Sequence, residues 1–202
     1  MSQPFVLANN GTPSDFPGAR LRYFEAFFSE KEAEGHYEQL LRETPWQQDP
    51  IKIFGKTYDQ PRLTALYANN NLPYSYSGIT MHPHQMTPLL SHIQKRIGEV
   101  CDTQFTTVLL NQYRDGKDSN GWHADNEKEL GKNPVIASVS FGQERYFHLK
   151  HRKRKELRLK ILLKKGSLLL MEGETQSHWL HQIAKTARPV APRINLTFRK
   201  II

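Results

Sequence analysis

Apolar and polar positions change rhythm about halfway along this 202-residue chain. In the first half, Ser29 and Glu32 form a capping box, and Tyr37, Leu40 and Leu41 then recur at helical spacing, so a helix is expected to about Thr44. Leu89, Leu90, Ile93 and Ile97 make a second helical stripe, opened by Pro88, which a first turn tolerates, and closed at Gly98. From Phe105 onward the period shortens. FTTVLLNQY, PVIASVSFG, ERYFHLK, ELRLKILL, GSLLLMEG, HWLHQI and RINLTFRKI are β-type runs separated by turn residues. So many short strands with no helix between them predict a sandwich or jelly roll with a pocket at one mouth, and hence an α+β protein with its helices ahead of its strands. Residues up to Ala19 carry turn formers with little periodicity; a loose arm is expected over residues 1–20, with one domain over 21–202.

Composition narrows the function classes. Lysine and arginine total 28 against 20 acidic residues, a formal charge of +8, which favours a polyanionic partner. Cys101 is the only cysteine, so neither an intrachain disulfide nor a thiolate metal cluster can form, and a reducing compartment fits. No apolar run approaches the roughly 18 residues a spanning helix needs, and the N-terminus lacks the pattern of a signal peptide. No membrane partner is expected, and the expected location is cytosolic in a bacterium or nuclear in a eukaryote.

His123 and Asp125 are two apart, so on an extended segment both side chains leave one face and can share an ion. In a chain with nine histidines such a pair arises readily by chance. His36 and Glu38 have the same spacing but fall on the expected helix, where residues two apart do not face each other. A third candidate, His181, stands on a late β-type run; alone it reads equally as a packed histidine beside Trp179. Together the three make the two-histidine, one-carboxylate facial set that leaves positions open for a bidentate cosubstrate and dioxygen. Strand alternation then sends Arg193, Asn195, Thr197 and Arg199 to one face and Ile194, Leu196 and Phe198 to the other. Buried guanidinium groups need anions, and a dicarboxylic acid suits their planar fork.

On these residues the chain resembles the AlkB family of iron(II) and 2-oxoglutarate dependent nucleic-acid dealkylases, and within it the vertebrate homologue acting on double-stranded DNA. The resemblance runs from about Ile51 through IFGK, YSYSG, NQYRDG, the H-x-D segment, ASVSFG, GSLLLM and HWLH to PRINLTFRKI. It implies a double-stranded β-helix (jelly roll) core, with residues 51–80 as a nucleotide-recognition lid. It implies further that His123, Asp125 and His181 bind iron(II) and that Arg193 pairs with the distal carboxylate of 2-oxoglutarate. Arg199 would support the metal-bound end and the Asp125 carboxylate, with Asn111, Tyr113 and Asn195 completing the cosubstrate contacts. The implied reaction consumes dioxygen and 2-oxoglutarate, hydroxylates an N-alkyl group and releases succinate, carbon dioxide and formaldehyde.

A base must leave its duplex to meet such chemistry. Tyr74 and Tyr76 alternate with serines and can share a pocket face; the family carries a stacking aromatic at the Tyr76 position. Glu127 continues the alternation of His123 and Asp125, where a carboxylate could read an exocyclic amine. Phe54, in IKIFG, looks like an exposed hairpin tip, which the resemblance makes an intercalating finger. The run from His151 to Lys155 is expected as an exposed basic loop touching phosphates, with Lys185 and Arg188 adding to it. The partner expected is alkylated DNA, duplex included, met by a monomer. RNA or a protein side chain as substrate, and a non-catalytic lesion-binding domain, are the alternatives left open.

Overall fold

The computed structural model describes residues 7–53, 56–70, 74–76 and 79–202. Its two longer helices form where the apolar stripes place them. Helix α1 (Glu30–Glu43) starts at Ser29, whose hydroxyl accepts from the Glu32 amide while the Glu32 carboxylate accepts from the Ser29 amide. Helix α2 (Pro88–Gly98) has Thr87 as its cap, accepting from the Leu90 amide, and buries Leu90, Ile93 and Ile97.

Two sheets carry the site. The larger, of eight strands, runs β1 (Ser14–Phe16), β2 (Ala19–Phe24), β14 (Leu168–Glu172), β11 (Ile136–Gly142), β16 (Arg193–Arg199), β9 (Thr107–Tyr113), β5 (Leu63–Ala68) and β8 (His84–Gln85). The smaller runs β10 (Asn120–His123), β15 (Trp179–Ile183), β12 (Arg145–His151) and β13 (Arg158–Leu163). Two hairpins stand outside both sheets: β3 (Pro50–Ile53) with β4 (Lys56–Asp59), and β6 (Tyr74–Tyr76) with β7 (Ile79–Met81). A short helix, α3 (Thr175–His178), precedes β15.

The molecule is thus layered as helices, larger sheet and smaller sheet, and the burial patterns follow. One face of the larger sheet packs Val108, Leu110, Val139, Ile194, Leu196 and Phe198 against the helices. Its other face packs Leu21, Tyr113, Ile136, Leu169 and Met171 against Phe147, Leu149, Ile161 and Ile183 of the smaller sheet. A sheet covered on both sides has strands buried at every position, as β9 and β16 are, whereas the smaller sheet alternates because its outer face meets solvent.

Two expected boundaries move. The arm of residues 1–20 ends earlier, because β1 pairs with β2 and β2 with β14, burying Ser14, Phe16 and Ala19. Arg22 is tolerated there because its Nε and Nη2 donate to both oxygens of Glu172 at 2.9 and 2.7 Å, a bidentate pair. Within the expected lid of 51–80, β5 belongs to the larger sheet, where it pairs with β9. Among the described strands of that span, the two hairpins flanking β5 lie off both sheets.

Candidate metal centre

The site sits between the sheets. Register brings it together: β10 pairs with β15 so that His123 lies opposite His181, and Asp125 follows two residues beyond the strand. One ligand atom from each of the three lies within 4.8 Å of the others.

Each ligand is held by a second group, which sets its protonation. His123 Nδ1 donates to the Gly121 carbonyl at 2.7 Å, leaving Nε2 as the lone-pair nitrogen. The Gln176 side-chain oxygen accepts from the Asp125 amide at 2.9 Å and lies 3.2 Å from His181 Nε2. Gln176 thus braces both the segment carrying Asp125 and the His181 ring, whose Nδ1 is buried and without a partner. Burial pushes His181 down to about 3, the neighbouring His123 adding to the effect, so the ring is neutral and able to ligate. Burial lowers His123 likewise. Burial alone would raise Asp125, but Arg199, whose Nη2 donates to Oδ1 at 2.9 Å, outweighs it and holds the carboxyl at about 2.

The rest of the cavity is built on β9 and β16. Arg193 lies opposite Tyr113 and Asn195 opposite Asn111 in the ladder, and all four line the cavity with Ser138, Thr197 and Arg199. Arg193 is 1% exposed, its Nη2 donates to Ser140 at 2.9 Å, and its Nε and Nη1 have no partner. Burial lowers it to about 10. Tyr113 lies between two cations, 5.3 Å from the Arg193 guanidinium and 6.0 Å from that of Arg145.

Two neutral imidazoles, an ionised carboxylate and a buried guanidinium with unmet donors suit a divalent metal beside a carboxylate-bearing ligand. The donor set fits. The free space between the lining side chains is narrow, about 30 Å³.

The chain matches the profile of the 2OG-Fe(II) oxygenase superfamily over residues 20–199. It is 44% identical to alkB homolog 3 of Bos taurus over 87% of this chain and 64% of that protein. It is 36% identical to the DNA oxidative demethylase ALKBH2 of Mus musculus, over 89% of this chain and 79% of that protein. The chain belongs to the AlkB branch of the 2OG-Fe(II) oxygenase superfamily. Its fold is that of the solved OsALKBH1 structure, with a TM-score of 0.66 at 13% identity, over 94% of this chain and all of that one. This AlkB-family chain spans under two thirds of the length of the bovine homologue, 64%. Identity to the bovine relative, 44%, exceeds the 36% identity to the murine ALKBH2 protein.

Of the expected site residues, His123, Asp125, His181, Asn111, Tyr113, Arg193, Asn195 and Arg199 all line one cavity. The Asn195 side chain is occupied by its neighbours, donating to Ser138 and the Val139 carbonyl and accepting from Thr197, so here it braces the wall. Glu127 departs from expectation. The chain leaves β10 at His123, so alternation does not carry on; Glu127 instead precedes a 3-10 turn at Lys128–Leu130 and is not among the residues lining the cavity. Phe54 lies outside the described residues. Tyr74 and Tyr76 belong to β6, in backbone register with Met81 and Ile79. The basic run forms the exposed turn between β12 and β13.

Sequence reasoning missed Gln176 and Arg62. Arg62 is buried and donates to the Asn111 side-chain oxygen at 2.8 Å, fixing that amide. Neither residue has a spacing that marks it.

Proposed function

We propose that this chain is an oxygenase that removes N-alkyl groups from flipped bases of DNA, duplex DNA included, using iron(II), 2-oxoglutarate and dioxygen. One observation carries the reading: a His-Asp-His cluster, with Asp125 and His181 buried and His123 partly so, shares its cavity with a guanidinium whose Nε and Nη1 have no partner. Dioxygen would supply the oxidising power, with iron(II) held by His123, Asp125 and His181 and two electrons from the decarboxylation of 2-oxoglutarate activating it. The protein's part is positional. Arg193 presents its free donors to a carboxylate, Arg199 keeps Asp125 ionised, and Gly121 and Gln176 orient the two histidine rings. Phe147, Leu163 and Ile183 line the same cavity and exclude water.

Nucleic acid as substrate is supported by the net charge of +8, by the two hairpins off the sheets, and by relatives named as DNA oxidative demethylases. The test is to incubate the protein with iron(II), 2-oxoglutarate and matched single- and double-stranded oligonucleotides, in DNA and RNA, bearing one 1-methyladenine or 3-methylcytosine. Formaldehyde release with DNA, abolished by His181→Ala, is expected; 2-oxoglutarate turnover without it would reject the substrate class. Phe54→Ala should depress release from duplexes far more than from single strands, and equal losses would reject the finger.

A further inference from the structure

The outer face of the smaller sheet has no counterpart in the chemistry described so far. Along β12, Phe147 and Leu149 point inward, so Tyr146, His148 and Lys150 point out; along β13, Leu159 and Ile161 point in, so Arg158 and Lys160 point out. Trp122 of β10 also faces out, opposite to its neighbour His123. Trp122 and Tyr146 are 39% and 44% exposed, large apolar groups that a solvent face has no internal reason to hold. Each lies beside an ammonium: Lys150 Nζ is 4.2 Å from the Trp122 ring and Lys160 Nζ 3.8 Å from that of Tyr146.

The register makes the face costlier still. Lys150 lies opposite Arg158, like charges facing each other across one ladder, an arrangement that destabilises a sheet. Among the described residues no carboxylate forms an ion pair with Lys150, Arg158, Lys160, Lys185 or Arg188. Beside Tyr146 the face deepens into a cavity of about 330 Å³, lined by Lys160, Lys185 and Arg188 with Glu144 as its single acid. Unneutralised cations interleaved with exposed rings are the pattern of a surface that tracks a phosphodiester backbone while bases stack on aromatics.

We propose that this face is a second nucleic-acid contact, binding single-stranded backbone with its phosphates on Lys150, Arg158 and Lys160 and bases stacked on Trp122 and Tyr146. It rests on the nucleic-acid reading above and extends it to a surface on the outside of the site wall. Trp122 is level with His148 through Gln182, so it and Tyr146 are separated by about 10 Å across two strand spacings and about 7 Å along β12, a span that needs more than one nucleotide.

The test is fluorescence anisotropy with an end-labelled, unmodified thymidine 15-mer, at several salt concentrations. Tyr146→Ala with Lys160→Glu should weaken binding roughly tenfold and flatten the salt dependence, while Lys31→Glu, an equal charge change on α1, should leave both within twofold. Tyr146→Phe should retain binding. Formaldehyde release from a methylated trinucleotide and a methylated 15-mer separates the two claims: the double variant should keep wild-type turnover of the trinucleotide and lose it on the 15-mer. Equal anisotropy of double variant and wild type would overturn the proposal. So would a loss caused by Lys160→Glu alone with none from Tyr146→Ala, which would mark a general polyanion surface. Failure of the wild type to turn over either methylated substrate would reject the dealkylase reading, and the anisotropy would still decide the surface.

Discussion

Arg193 makes the anion requirement of the cavity measurable without any turnover. A lowering from 12.5 to about 10 corresponds to about 3 kcal/mol of unmet burial cost in the ligand-free protein. Arg193→Met keeps the length of the stem and removes the charge. It also removes the hydrogen bond to Ser140 and the contact with Tyr113, together worth about 1.5 kcal/mol. The variant without 2-oxoglutarate should therefore be more stable than wild type by about 1–2 kcal/mol, raising Tm by about 4 °C for a domain of this size. With 2-oxoglutarate the order should reverse. At a hundredfold excess over Kd the wild type gains about 2.7 kcal/mol, whereas the variant lacks the group that neutralises the distal carboxylate and gains little. Urea denaturation with Mn(II) in place of iron, with and without 2-oxoglutarate, reads both halves. A variant that is less stable in the absence of 2-oxoglutarate, and gains as much from it as wild type does, would refute the claim that Arg193 awaits an anion.

Three further outcomes follow from contacts around the site. Gln176→Leu frees both the Asp125 amide and His181, so Mn(II) affinity by calorimetry should fall about 10- to 100-fold while the fold persists; unchanged affinity would reject its positioning role. Asp118 accepts from the Arg114 amide and from its Nε and Nη2, tying the turn between β9 and β10, and Asp118→Asn should cost about 1–2 kcal/mol at pH 7. Burial opposes ionisation of Asp118 but Arg114 outweighs it, so the folded carboxyl titrates below its ordinary 3.8. The stabilisation is therefore fully present above that value, and the wild-type advantage in urea melts should hold from pH 7 to about 5 and disappear as pH falls through the folded value. Gly142 has φ of +75°, and an added Cβ would lie 2.6 Å from the Pro192 carbonyl beside Arg193, so Gly142→Ala should cost about 2 kcal/mol or more by thermal melting.

What could be read along the chain divides by whether alternate positions differ chemically. In RINLTFR they do, and the polar and apolar faces of β16 went where alternation sends them. In SLLLM they do not: Leu168 and Leu170 face the helices while Leu169 and Met171 face the smaller sheet, a division invisible in a run of like residues. Strand β2 carries the opposite lesson. Its alternation of Leu21 and Tyr23 with Arg20 and Arg22 is that of a strand, yet Pro17 and Gly18 beside it read as loop. Only pairing with β14 and the Glu172 partner of Arg22 make it sheet. The continuation to Glu127 failed for a related reason, since period-2 reasoning holds only while the chain stays extended, and β10 ends at His123. The metal ligands were legible because two fall within one short segment and the third has its own strand. Gln176 was not, because its role is a bond to the backbone amide of Asp125, 51 residues away, which α3 makes by setting that side chain against the segment after β10. Residue spacing can reveal which groups can ligate; the protonation that lets them do so is set by second contacts that only the assembled sheets bring within reach.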